Sequence, residues 1–181
     1  MPFAHDTAVS LQTAAALANS ALAPDTLTTV EDLDDFYAQW EYTGRRDGTR
    51  AELDDVRALR PRLRALLTAD RDTAVELVNA MLRDGEALPQ LVRHDTWDWH
   101  LHAVSPDAPL VTRICVETAM AMIDVIRGDE MNRLGICADE DCEGIVVDLS
   151  RNRSKRFCSV ACGNRNAVAA YRARQSSLTT S

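Results

Sequence analysis

Through the first 130 residues, apolar side chains recur mostly at helical spacing. Residues 7–23 are alanine-rich and carry Val9, Leu11, Leu17 and Leu22, which predicts a helix that ends before Pro24. Asn19 is the polar side chain in it placed to face inward, as a ligand-binding group or as an ordinary end-of-helix residue. Residues 29–40 put Val30, Leu33, Phe36, Tyr37 and Trp40 on one stripe, which reads as core. Glu31, Asp32, Asp34 and Asp35 crowd its first half, where the helix dipole favours them. A loop over 44–48 follows, with Arg45 and Arg46 read as solvated. Thr49 and Glu52 form a capping box opening a helix with Leu53, Val56, Leu59, Leu63, Leu66 and Leu67 inside. Pro61 either kinks that helix or begins a second one. Arg57, Arg60, Arg62 and Arg64 lie off the stripe and read as a salt-bridged surface beside Glu52, Asp54 and Asp55. Asp70 or Asp72 caps the next helix, which Gly85 ends.

The period then changes. Residues 88–94 and 97–104 look extended and predict a hairpin. On the second strand Trp97, Trp99, Leu101 and Ala103 share one face, and Asp98, His100, His102 and Val104 the other. His94, His100 and His102 with Asp95 and Asp98 could form a second metal or acid–base site, or only a polar sheet face. Trp97, Trp99 and His100 are candidate ligand-binding residues for a small effector, together with Asn19. A long, nearly continuous apolar helix opens at Asp107 or Pro109 and stops at Gly128, with Cys115 read as a buried apolar residue rather than a redox thiol.

The last quarter follows another pattern. Cys137, Cys142, Cys158 and Cys162 are spaced C-x4-C-x15-C-x3-C. Two close pairs on either side of a hairpin-length insert suit tetrahedral zinc bound by four thiolates, a structural ion with no open position. Two disulfides are the alternative. Within the insert Ile145, Val146 and Val147 read as a strand, residues 150–154 as a turn, and Lys155, Arg156 and Phe157 as the return. Ser159 then caps a helix from about Val160 to about Arg174. Knuckle, hairpin and ligand-bearing helix in that order make a treble-clef-like finger.

Cys162-Gly163-Asn164-Arg165, preceded by Asp148-x-Ser150-Arg151-Asn152 and Phe157-Cys158-Ser159, resembles the CGNR zinc finger of bacterial proteins classed as stress-induced transcription regulators. In that family the finger closes a mostly helical domain called ABATE. The resemblance implies a mainly α fold. It would comprise a helical N-terminal domain with a β-hairpin (1–130), a zinc finger (131–175) and a disordered tail (176–181). No Gly/Ser-rich linker separates body from finger, so the two are expected to dock.

The net charge of −8 conceals a polarity. Residues 151–174 hold seven basic side chains and no acid, whereas residues 1–150 carry −15. All but one of the 20 basic residues are arginine, a composition typical of GC-rich bacterial genomes. A basic module on an acidic body points to phosphate. Arg151, Arg153, Lys155, Arg156, Asn164, Arg165, Arg172 and Arg174 are the candidate nucleic-acid-binding residues. Asn164 and Arg165 could read base edges, or serve the helix backbone and the hairpin, Arg165 by pairing with Asp148. The expectation is a cytoplasmic, zinc-containing DNA-binding regulator acting as a homodimer with a small-molecule effector. A protein- or RNA-docking finger is the alternative. No phosphate-binding glycine loop, nucleophile elbow or catalytic cluster argues for an enzyme, and no membrane span is expected.

Overall fold

The computed structural model describes residues 3–94 and 97–179, with the backbone alone at 94, 97 and 176–179. It is mainly α with two small hairpins. The helices are α1 (His5–Asn19), α2 (Val30–Gln39), α3 (Arg50–Leu67), α4 (Arg71–Asp84), α5 (Leu110–Arg127) and α6 (Val160–Thr179). The strands are β1 (Gln90–His94), β2 (Trp97–His102), β3 (Leu134–Ile136) and β4 (Ile145–Val147). Among the described residues no helix is long and apolar enough to cross a membrane.

α1 packs on α5 and α3, and α4 on α5. Leu11, Leu17, Leu53, Leu63, Leu66, Met81, Ile114 and Met122 are fully enclosed at their centre. Cys115 is buried, and burial pushes its thiol up, which suits an inert core residue. Gly85 ends α4, and its lack of a side chain matters for packing. A Cβ there would meet Val116 Cγ2 at 2.3 Å, so α4 closes on α5 through this glycine.

α3 runs through Pro61 as one helix, so no second helix begins there. Proline supplies no N–H to the carbonyl of Arg57, and Arg60 Nε donates to that oxygen at 3.3 Å instead. The same guanidinium grips Asp25 with both terminal nitrogens, at 2.8 and 3.0 Å. Arg60 is therefore salt-bridged as expected, but buried rather than on the surface. Thr49 caps α3 by accepting from the Glu52 amide, yet Glu52 does not complete the box. Its carboxylate turns to the amides of Asp47 and Gly48 and to Arg46. Arg45 and Arg46 are likewise paired, with Asp47 and Asp34.

β1 and β2 form the expected antiparallel hairpin, with Leu91 opposite Leu101, Val92 opposite His100, and a bulge before His94. Leu91, Trp99 and Leu101 point outward and are exposed, while His100 is buried beneath them.

The second hairpin departs from expectation. β4 pairs with β3, upstream of the first cysteine, and not with the return segment around residues 155–157. The first cysteine pair thus sits in the turn of the hairpin. The return segment contributes a single backbone bond there, from Ala138 N to Arg156 O at 2.8 Å.

β4 is buried on both faces and joins two cores. Ile145 and Val147 enter the helical core, while Val146 packs with Cys137 and Cys162. Asn19 holds this strand edge-on. Its Nδ2 donates to Ile145 O at 2.9 Å, and its Oδ1 accepts from Ile145 N at 2.7 Å. The side chain imitates a neighbouring strand, so Asn19 is a staple between body and finger and not a ligand-facing group. Replacing Asn19 by Ala strands both polar groups of Ile145, and a loss of about 3 kcal/mol is expected in urea unfolding.

α6 runs on to Thr179, past the expected end near Arg174 and into the segment expected to form a disordered tail. Its residues 167–175 are all exposed.

Candidate metal centre and basic surface

The four cysteines come from three pieces of chain. Cys137 follows β3, Cys142 closes the turn back to β4, and Cys158 and Cys162 flank the start of α6. Cys142 N bonds to Asp139 O at 2.9 Å, which bends the first knuckle. Ser159 Oγ accepts from Cys162 N at 3.2 Å and caps α6 as expected, placing Cys162 in its first turn.

The ligand atoms of all four cysteines lie within 4.8 Å of one another. Cys142 and Cys158 sulfurs are 3.5 Å apart, and those of Cys158 and Cys162 3.7 Å. A disulfide requires about 2.05 Å, and all four are free. A tetrahedral ion with Zn–S bonds of about 2.3 Å spaces its sulfurs by about 3.8 Å. The donor set therefore fits zinc. Burial and the neighbouring sulfurs push the Cys158 thiol up, and burial does the same to Cys142, so without a cation these thiols hold their protons. The hydroxyl of Ser159 pulls Cys162 the other way.

The surroundings are built for sulfur. Gly144 N points at Cys142 Sγ and Cys158 N at Cys137 Sγ, at 3.3 and 3.4 Å. A Cβ on Gly144 would meet Cys158 Sγ at 2.6 Å, so no other residue fits there without moving a ligand. Arg165 Nε binds buried Asp139 at 3.0 Å, and its NH2 reaches Cys162 Sγ at 3.2 Å. The guanidinium offsets the surplus negative charge of four thiolates around a divalent ion. Such a site is structural, with no position left for substrate.

The CGNR zinc finger model matches residues 133–175. The ABATE model, described as "Putative stress-induced transcription regulator", matches residues 11–129. That second match alone spans more than half of the chain. The chain belongs to the ABATE family. No curated protein matches it in sequence.

In this ABATE protein the basic candidates separate into two groups. Arg165 is engaged with Asp139 and Cys162, so its carboxylate partner is Asp139 and not the suggested Asp148. Arg153 binds Glu130 at 2.8 Å and sits at φ +50°, so it ties the loop to the body. Arg151, Lys155, Arg156 and Arg172 are exposed and have no carboxylate partner among the described residues, although Arg156 lies 5.9 Å from the Phe157 ring centroid. Asn164 is exposed in the second turn of α6, and Arg174 lies further along the same helix. The charge polarity is less complete in space than along the chain, because Asp139, Glu140 and Asp141 line a shallow groove with Asn164 and Arg172.

Two buried charged groups, Asp148 of the quoted turn and Arg133 upstream of the first cysteine, position the loop. Asp148 accepts from the amides of Ser150 and Lys155, both at 2.8 Å. Burial would raise its carboxyl, but these bonds hold it below the usual range. Arg133 donates to the carbonyls of Asp148 and Ser150, both at 3.0 Å, and pairs with Glu130.

The expected second histidine site is only partly described. The side chains of His94, Asp95 and Trp97 lie outside the described residues. His100 Nε2 and His102 Nε2 meet at 3.0 Å. Among the described residues the four cysteines are the only group that brings three or more metal-binding side chains together. Trp99 lines a shallow pocket together with His100, Asp98, Asp6 and Glu41. It is 63% exposed under Arg93, whose guanidinium lies 5.3 Å from its ring centroid.

Proposed function

We propose that this protein is a zinc-dependent, DNA-binding transcription regulator whose finger meets phosphate and whose helical body senses an effector. The observation that carries the reading is the set of exposed cations with no carboxylate partner among the described residues, Arg151, Lys155, Arg156 and Arg172, in a segment with seven basic residues and no acid. The first three project from a loop held by Asp148 and Arg133, so their positions are fixed before any partner arrives. Phosphate contacts of this kind orient a module and make its affinity fall with salt. Asn164, exposed and without a hydrogen-bond partner among the described residues, is the side chain left to read a base edge. Arg174 adds a cation further along the helix. The outward face of β1–β2, with Leu91, Trp99 and Leu101, is the surface on which a homodimer would form.

The test is fluorescence anisotropy of the full chain with random and genomic-fragment DNA at two salt concentrations. Tight binding to a subset of fragments that survives the higher salt, and weakens in the Arg151→Ala/Arg156→Ala variant, is the expected result. Uniform binding abolished by salt contradicts it. Val168 and Tyr171, exposed on the free half of α6, favour a second reading in which the finger docks a protein. That reading predicts no DNA preference at either salt.

A further inference from the structure

The helical body contains a cavity of about 90 Å³ between the first turns of α1, the end of α2, β2 and α5. At about 30 Å³ for each water it has room for about three waters, or for an organic ion of that size. Trp40 and Tyr42 give it aromatic walls. Three carboxylates, Asp6, Glu41 and Glu117, face one guanidinium, Arg113.

These charged groups are not equivalent. Arg113 is a clamp, because its nitrogens donate to the carbonyls of Ala108, Thr43 and Arg45. Asp6 accepts from the amides of Thr7 and Leu101. Glu117 and the Tyr42 hydroxyl have no hydrogen-bond or ion-pair partner among the described residues. Burial raises the Glu117 carboxyl to about 7, and Arg113 only partly opposes this. Burial also keeps the Tyr42 phenol protonated. Glu117 is half-buried on the wall, so its carboxyl opens onto the cavity rather than being sealed in the core. The surplus of carboxylates and the aromatic walls select the sign of the guest.

We propose that this cavity binds a small organic ammonium ion, with Glu117 accepting its N–H groups and Trp40 and Tyr42 flanking its apolar part. The assignment rests on the reading of the body as the sensing half. Its test contains no DNA, so failure of either leaves the other standing. α1 lines the cavity with Asp6 and, at its other end, holds the finger through Asn19.

The experiment is saturation-transfer NMR of the full-length zinc-loaded chain with butylammonium, and with butanol and butyrate as its neutral and anionic counterparts. Butylammonium is expected to bind saturably and more tightly than either. Its affinity falls about tenfold or more in Glu117→Gln, which loses a charge-assisted bond. In the wild type it rises about tenfold between pH 6 and pH 8 as Glu117 ionises. Asp6, Glu41, His100, His102 and Arg113 share the wall, so the pH dependence must vanish in Glu117→Gln to be assigned to this residue. That variant is expected to fold, because it removes a group that opposes folding as pH rises through about 7. Should it fail to fold, the wild-type pH profile and Trp40→Ala decide, the latter binding more weakly for want of its aromatic wall. No saturable butylammonium signal, preference for butyrate, or affinity independent of both pH and substitution would overturn the proposal.

Discussion

Stripping zinc from the full-length chain is expected to unfold the finger and to lower the melting temperature of the helical body by about 10 °C. The finger core has only Val146, the four cysteines and Phe157 to bury. A cluster that small does not hold itself together without the metal, whose binding contributes about 10–16 kcal/mol in isolated fingers. The effect on the body follows from β4. Ile145 and Val147 are 2% and 3% exposed inside the helical core, and Asn19 hydrogen-bonds the strand's edge. Releasing β4 uncovers two large apolar side chains, about 4 kcal/mol at the usual transfer values, and for a chain of this size that is about 10 °C. Circular dichroism melts with and without a strong chelator measure the shift, and Cys158→Ser should reproduce it. An unchanged body transition would mean that the finger and the body fold independently.

Arg60→Ala is expected to destabilise the body by about 3–5 kcal/mol, the largest effect of any single side chain away from the metal. Three groups lose a bond at once: the Asp25 carboxylate, which keeps Arg57 and the Leu27 amide, the Ser20 hydroxyl, and the Arg57 carbonyl opposite Pro61. Arg60→Lys recovers only part of this, because an ammonium cannot span both carboxylate oxygens and reach the carbonyl. The ion pair also has a pH signature. The Arg60 hydrogen bond holds the Asp25 carboxyl down to about 2, well below the usual range of an aspartate. A depressed folded-state pKa contributes stability that is present above about pH 4 and is lost as pH falls toward 2, here about 2 kcal/mol. Urea unfolding between pH 5 and pH 2 should show that loss in the wild type and a shallower one in Arg60→Ala. Equal slopes would mean that the pair does not set the acid limit.

The zinc centre was legible because its information is local. Cysteine spacing and a serine before the last helix are read without knowing what packs on what. The helices were legible for the same reason, each carrying a stripe and a cap. The failures all involve partners far apart in the chain. Ile145, Val146 and Val147 announce a strand but not which segment it pairs with, and Leu134, Gly135 and Ile136 are too short a run to declare themselves. Asn19 was visible as an odd polar residue in an apolar helix, but its partner lies 126 residues away. Arg165 follows the last cysteine in a segment without acids, so its pairing with Asp139 in the first knuckle could not be read from its neighbours. Trp40 belongs to the apolar stripe of its helix, and Tyr42 just beyond it carries no periodic signal. They line a cavity because the β1–β2 hairpin closes over them, and no helical periodicity encodes that.

The central claim is that exposed cations of the finger contact phosphate. The most direct test is the salt dependence of affinity for the preferred DNA fragment, compared between wild type and Arg151→Ala/Arg156→Ala/Arg172→Ala. Each phosphate contact contributes about 0.9 to the slope of log affinity against log salt, so the triple variant should flatten that slope by nearly three units while keeping its zinc. A slope unchanged in the variant would contradict the account, because these cations would then not be where the DNA lies.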